Sequence, residues 1–282
     1  LGKDSASSTI GTIRLVTALG CVAVSTLVLA PLQYIILKTK LGNRSVLPRL
    51  WHSGNVRALG MRIHQKGSLT DKRPLVIAAN HVSWTDIPVI GSLCDISFVA
   101  KADMQGWPLI GWLASLQRTI FVERERKRTS GAQAGEIALR LAADEAVVLF
   151  AEGTTGDGNS VLPFKSTLFG AATKAISDGS VEKVYIQPLA IAYTRFHGLP
   201  MGRRYRAFAS WIGDVELAPH AAALLREGAI DVELCFGEPI EFCAGDDRKA
   251  ATRRAEAAVK TLLQDALANP QPSRPPSRPP RK

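Results

Sequence analysis

Five histidines occur in the 282 residues, at positions 52, 64, 81, 197 and 220. Only His81 sits in a tight polar constellation at the end of an apolar run, Pro74-Leu-Val-Ile-Ala-Ala-Asn80-His81-Val-Ser-Trp-Thr-Asp86-Ile-Pro88. Asp86 follows five residues later, and a turn between them can bring its carboxylate back to the imidazole. A carboxylate on one ring nitrogen fixes the tautomer and raises basicity. The other nitrogen can then take a proton from a hydroxyl. The same spacing also serves a purely structural pair. Three more segments offer polar groups. Phe150-Ala151-Glu152-Gly153-Thr154-Thr155-Gly156-Asp157-Gly158 is a glycine-rich loop after an apolar run, suited to an anionic or hydroxylated group or to a plain strand-to-helix turn. Arg124, after Ile120-Phe121-Val122-Glu123, can hold a phosphate or carboxylate by paired hydrogen bonds. Lys165, in Leu162-Pro163-Phe164-Lys165-Ser166, offers a cation or is a surface lysine.

These residues need a scaffold that brings strand ends together. Apolar, β-rich runs fall at Leu75–Ala79, Ile96–Ala100, Thr119–Val122, Val147–Ala151, Val184–Tyr193 and Ile230–Phe236. Helix-period stretches lie among them, as at Ala132–Ala143 and Lys249–Ala268. The alternation predicts an α/β fold, a central, mostly buried sheet flanked by helices. His81 and the glycine-rich loop then sit at the C-terminal ends of strands, where such sheets place ligands. Ser83 or Thr85 can cap the helix that follows, with Pro88 in its first turn.

Ahead of this body, Leu15–Leu37 contains no charged residue. As a helix it is about 34 Å long, enough to cross a hydrocarbon core of about 30 Å. We expect a membrane anchor, spanning or re-entrant, with Pro31 kinking it. A signal peptide cut after Val28-Leu29-Ala30 and a buried core helix are the alternatives. Lys38, Lys40, Arg44 and Arg49 follow the run, which places the bulk of the chain in the cytoplasm, at the cytoplasmic membrane. The expected organisation is an anchor and basic collar over 1–50, an α/β domain over 51–268, and a disordered Pro/Arg-rich tail over 269–282.

The formal net charge is +10. Residues 1–49 carry +5 of it and the last fourteen residues +4, which leaves the body near +1. A nucleic-acid-binding domain concentrates its basic excess in the folded body. The distribution argues against nucleic acid and for an anionic membrane surface. Hydrophobic residues at 46% exclude a disordered chain.

In order and spacing, NHVSWTD, FVAKADMQGWPLIGW, TIFVER, FAEGTTGDG with LPFKS, and IQPLAI resemble the motifs of the glycerolipid acyltransferase family. Its best-known members are the 1-acylglycerol-3-phosphate acyltransferases. The likeness covers roughly Pro74 to Tyr193. It implies that His81 and Asp86 form a catalytic dyad, with His81 as general base on the acceptor hydroxyl and Asp86 orienting it. The oxygen then attacks an acyl thioester carried on coenzyme A or acyl carrier protein, with no enzyme nucleophile. It further implies that Arg124, Glu152, Gly153, Thr154 and Lys165 serve the lysolipid acceptor. Lys101 and the Trp107-Pro108-Leu109-Ile110-Gly111 turn would border the substrate region, and Pro188 would serve the donor side or the structure. No cofactor or metal is implied beyond the acyl thioester cosubstrate.

The leading expectation is a membrane-bound enzyme that makes phosphatidate from 1-acylglycerol-3-phosphate; the alternative acceptor is lyso-ornithine lipid. Three departures bear on that choice. Ala151 replaces the usual proline, Arg118 stands where a glycine is common, and Thr155 stands where many members have an arginine. The form EGTTGDG with LPFKS is more similar to a bacterial subgroup acting on lysophospholipids or lyso-ornithine lipid. Two rivals of other classes are a hydrolase and a non-enzymatic lipid tether. The chain contains no G-x-S-x-G elbow, and no His/Cys/carboxylate cluster has metal-ligand spacing.

Overall fold

A computed structural model describes residues 5–122 and 130–272. Its strands are β1 (Met61–Lys66), β2 (Leu75–Ala79), β3 (Ser97–Lys101), β4 (Ile120–Val122), β5 (Ala146–Phe150), β6 (Lys183–Phe196), β7 (Leu199–Pro200), β8 (Ile230–Phe236) and β9 (Ile240–Cys243). Its helices are α1 (Ser5–Thr39), α2 (Val46–Ala58), α3 (Asp86–Gly91), α4 (Ile110–Leu116), α5 (Ser130–Ala142), α6 (Gly170–Ser177), α7 (Arg203–Ala209), α8 (Leu217–Glu227) and α9 (Arg248–Ala268). The strands form one sheet in the order β1-β8-β6-β2-β5-β3-β4, with β7 and β9 also paired to β6. Pairings of β6 with β7, β8 and β9 are antiparallel; the rest are parallel.

Both faces of the sheet are covered, which is why its central strands read as continuous apolar runs. The alternation along β2 shows the two layers. Val76 and Ala78 join a core with Leu141 of α5, Ala172 of α6 and Val259 of α9. Leu75, Ile77 and Ala79 join the opposite core with Val56 of α2, Ile90 of α3 and Leu224 of α8. Each predicted strand is present, with ends shifted by a few residues at most. The sequence reading missed β1, β9 and the two-residue β7. In β1, Met-Arg-Ile-His-Gln-Lys, only Met61 is buried, and β9 is four residues long. None of the three shows the apolar run used to find the others.

Pro188 illustrates how topology accommodates an awkward residue. It lies within β6, a central strand, where proline normally breaks a ladder. On one side β6 pairs with β9 over 183–186 and with β8 from Leu189 onward. Pro188 falls in the gap between these two partners, and its carbonyl accepts from the Gly237 N–H (2.8 Å). Gln187 fills the same gap, donating to Ser68 and Gly237 carbonyls and accepting from the Thr70 N–H.

α1 extends the predicted apolar run at both ends and continues as one helix through Pro31. Residues Thr9–Thr39 are long and apolar enough to cross a membrane. One side of the helix is docked on the domain. The Arg14 guanidinium donates to the Leu225 carbonyl (2.9 Å). Trp51 Nε1 donates to Thr26 Oγ1 (2.8 Å), and Gln33 Nε2 donates to the Leu116 carbonyl (3.1 Å). Arg14 and Gln33 are about 28 Å apart along the axis, so the docking is spread over most of the helix. The opposite side exposes Ile10, Val16, Val24 and Leu27, the last at 75%. An apolar face this long, left open, marks a lipid-facing surface.

Candidate functional site

His81 stands two residues beyond β2 and continues the alternation of Leu75, Ile77 and Ala79. It therefore belongs to the face that carries α1, α2, α3 and α8. Asn80 ends the strand by imitating it. Its side-chain amide donates to the Ile191 carbonyl (3.0 Å) and accepts from the Ile191 N–H (2.8 Å), so β6 stays paired while the main chain turns away. The turn brings Asp86, first residue of α3, back to the imidazole. Asp86 Oδ2 accepts from His81 Nδ1 at 2.8 Å and from the Val82 and Ser83 N–H groups at 2.7 and 3.0 Å. Its other oxygen accepts from the Tyr193 hydroxyl at 2.6 Å, and Tyr193 in turn accepts from Thr85 Oγ1 at 2.6 Å. Asp86 and Tyr193 are wholly buried. Four donors therefore converge on this one buried carboxylate.

The imidazole lies flat on Phe150, the last residue of β5, with ring centroids 3.9 Å apart and planes 15° from parallel. Nδ1 is committed to Asp86, so Nε2 is the nitrogen left for a substrate. The His81 side chain keeps 18% exposure, and it lines a cavity of about 590 Å³. α1, α2, α4 and the sheet enclose this cavity, whose wall is mostly apolar. Its volume is in the range of small-molecule sites. An imidazole with one nitrogen held by a carboxylate and the other at the edge of an apolar cavity has the arrangement needed to take a proton from a lipid hydroxyl.

The glycine-rich loop builds the other side of the site. Glu152 is 2% exposed, and both its oxygens face backbone. One accepts from the His81 N–H (2.9 Å) and the other from the Leu162 N–H (2.7 Å). Its position is that of a brace for His81. Gly156 N–H donates to the His81 carbonyl (2.8 Å), which ties the loop down a second time. Gly153 has φ +71°, a backbone conformation that favours glycine, and it packs beside the flexible end of Lys165. Lys165 is exposed beside it, and Thr154 is exposed at the cavity wall. The Thr155 hydroxyl donates to the Trp211 carbonyl (2.5 Å).

Burial pushes the Glu152 carboxyl up to about 7, against its two backbone hydrogen bonds, while Asp86 and Asp157 push the same way as burial. A raised pKa means that the fold binds this proton more tightly than the unfolded chain does. Stability therefore falls as pH rises from about 4.5 to about 7. Glu152→Gln removes that slope. The melting temperature of the wild type minus that of the variant is expected to shrink across this window in detergent micelles. A gap that stays constant or widens overturns the assignment.

Among the other expected residues, Lys101 lines the cavity and pairs with Asp103 (2.7 Å). Met104, Trp107 and Ile110 of the neighbouring turn also line it. Pro188 is buried in register with Ala78, on the sheet face away from the cavity, so its place is structural. Arg124 lies outside the described residues. The sequence reading missed Tyr193, Phe150 as a stacking partner, and Arg206. Arg206 is buried and donates to the Tyr193 and Met201 carbonyls and to Asn159 Oδ1, which joins the loop to β6. Tyr193 shares the parity of Leu189 and Ile191, so only the register of β6 against β2 reveals that it faces Asp86.

With this geometry in view, comparison with known proteins is informative. The Acyltransferase family profile matches residues 60–192. The lyso-ornithine lipid O-acyltransferase of Brucella abortus is 51% identical over 92% of this chain and 97% of its own length. The enzyme of that name from Rhizobium meliloti is 48% identical over 86% of this chain and 82% of its own. The crystal structure of the 1-acyl-sn-glycerophosphate acyltransferase from Thermotoga maritima shares the fold, with a TM-score of 0.63 at 19% identity, over 94% of this chain and 99% of that one.

Proposed function

This chain belongs to the acyltransferase family, and from that premise we propose that it moves a fatty acyl group from an acyl thioester to the hydroxyl of lyso-ornithine lipid. The observation that carries the chemistry is the 2.8 Å bond between His81 Nδ1 and Asp86, made at the wall of the apolar cavity. In this reading His81 Nε2 takes the proton of the acceptor hydroxyl as its oxygen attacks the thioester carbonyl. A C–O bond forms and the C–S bond breaks. The departing sulfur takes the proton back from the imidazolium, whose charge Asp86 has stabilised. The thioester is carried on coenzyme A or acyl carrier protein.

Two observations favour lyso-ornithine lipid over lysophosphatidate. The two relatives compared over most of their length carry that name. The loop beside His81 also offers Thr155, with its hydroxyl spent on a backbone carbonyl, where a phosphate-binding arginine is common. Lys165 stands beside Gly153, and Asp157, which Asn159 and Arg203 face, lies on the same loop. Lys165 and Asp157 together suit a head group with both a carboxylate and an ammonium.

We place the enzyme on the cytoplasmic membrane with its catalytic domain facing the cytoplasm. The exposed side of α1 supports this, as do Lys38, Lys40, Arg44 and Arg49, each of which contributes about 1 kcal/mol near an anionic surface. The test offers lyso-ornithine lipid and lysophosphatidate separately to the detergent-solubilised protein, with labelled acyl-CoA and acyl-ACP. Faster acylation of lyso-ornithine lipid is expected. Preferential acylation of lysophosphatidate would overturn the acceptor assignment.

A further inference from the structure

The wall of the large cavity is apolar over most of its length but not where α1 and α2 approach α4. There Gln33 and His52 are 3% and 2% exposed, and both line the cavity. Gln33 is half satisfied. Its Nε2 donates to the Arg44 and Leu116 carbonyls, while its Oε1 has no hydrogen-bond partner among the described residues. Neither ring nitrogen of His52 has a well-formed one among the described residues, although the Gln117 side chain approaches the ring. The ring is held by packing instead. A Cβ on Gly91 would lie 2.6 Å from its Cδ2, so α3 can approach this closely only as glycine. Asp86 begins α3 and Gly91 ends it, about 7.5 Å further along the axis. The polar groups are thus set apart from the dyad on the wall of the same cavity.

Three desolvated polar atoms beside an apolar cavity are costly unless something pairs with them. Saturated hydrocarbon cannot. Burial pushes the His52 imidazole down to about 4, partly offset by Gln117, so it is neutral at physiological pH. A neutral imidazole presents one N–H donor and one lone pair, and Gln33 Oε1 adds a second acceptor. A carboxylate finds too few donors there, and any ion is disfavoured in so apolar a surround. A hydroxyl, itself both donor and acceptor, matches.

We propose that Gln33 and His52 form a binding site for a hydroxyl group carried along an aliphatic chain, so that this cavity selects a hydroxylated lipid chain over a plain one. The inference rests on the acyltransferase reading, since it takes the cavity to hold a chain of the transfer reaction. The hydroxyl can belong to the acyl donor or to the acceptor's own chain.

The test uses the full chain in detergent micelles and reads binding by displacement of labelled acyl-CoA. Competitors are acyl-CoAs of one length, either plain or with a single hydroxyl near the thioester, mid-chain or at the end. A parallel set of lyso-lipids carries the same variation on the acceptor chain. At least one hydroxylated member of one set is expected to bind on the order of tenfold more tightly than its plain counterpart. The set that discriminates identifies the source. His52→Leu and Gln33→Met are each expected to abolish the preference, so that hydroxylated and plain chains bind the variants alike. The melting temperature of each variant, read beside its binding, separates loss of the hydroxyl site from loss of the fold. Equal binding of plain and hydroxylated chains by the wild type overturns the proposal, as does a preference that survives both substitutions. Retained binding without acyl transfer to either acceptor would instead overturn the proposed function.

Discussion

His81→Ala is expected to lower kcat for acyl transfer by about a thousandfold or more, with little change in stability or lipid binding. General-base catalysis contributes roughly 10²–10⁴ to rate, and among the described residues no other group at the site takes its place. Nδ1 is tied to Asp86, Phe150 covers the ring face, and Glu152 is committed to two backbone N–H groups. Truncation leaves Asp86 with three of its four donors, Val82, Ser83 and Tyr193, so the loop keeps its shape. Single-turnover acylation of lyso-ornithine lipid measures the effect directly. A variant within tenfold of the wild type would show that another group accepts the proton.

Asp86→Asn is expected to be nearly as damaging, on the order of 10²–10⁴ in kcat, and for a different reason. An asparagine can keep its oxygen toward His81, Val82 and Ser83 and turn its NH₂ toward Tyr193 and Thr85. Geometry then survives while the negative charge beside the imidazolium is lost, so the deficit reports electrostatics. Tyr193→Phe probes the same carboxylate from behind. It leaves one buried Asp86 oxygen unpaired, which costs about 1–3 kcal/mol of stability, and a smaller fall in kcat is expected. The double variant His81→Ala/Asp86→Asn should be no slower than the worse single one, because residues that act as a unit are not additive. Additive losses in kcat would mean that the two residues serve separate steps.

The reach of the sequence followed the range of the interactions. His81 and Asp86 are five residues apart, and the turn joining them is local, so their spacing was legible. The buried strands were legible because two covered faces demand unbroken apolar runs. Tyr193 is 107 residues from Asp86, and no local pattern announces a hydroxyl that matters only once β6 lies beside β2. Glu152 was found by its motif, yet its two backbone contacts, with His81 and Leu162, depend on where the loop folds back. Gln33 and His52 were unreadable for the same reason: one lies in an apolar helix and the other in a short amphipathic one. Only their packing around a common cavity gives them a shared environment.

The docking of α1 through Arg14, Thr26 and Gln33 has a practical consequence for the protein's modularity. In many membrane-tethered enzymes the tether is a detachable part, and trimming it yields a soluble catalyst. Here the helix with the exposed apolar side supplies, with Leu19, Val22 and Leu29, part of the wall of the cavity beside His81. Anchor and wall are one helix thick. Trimming it would open the cavity from the side, so the apolar helix and the cavity cannot be engineered apart.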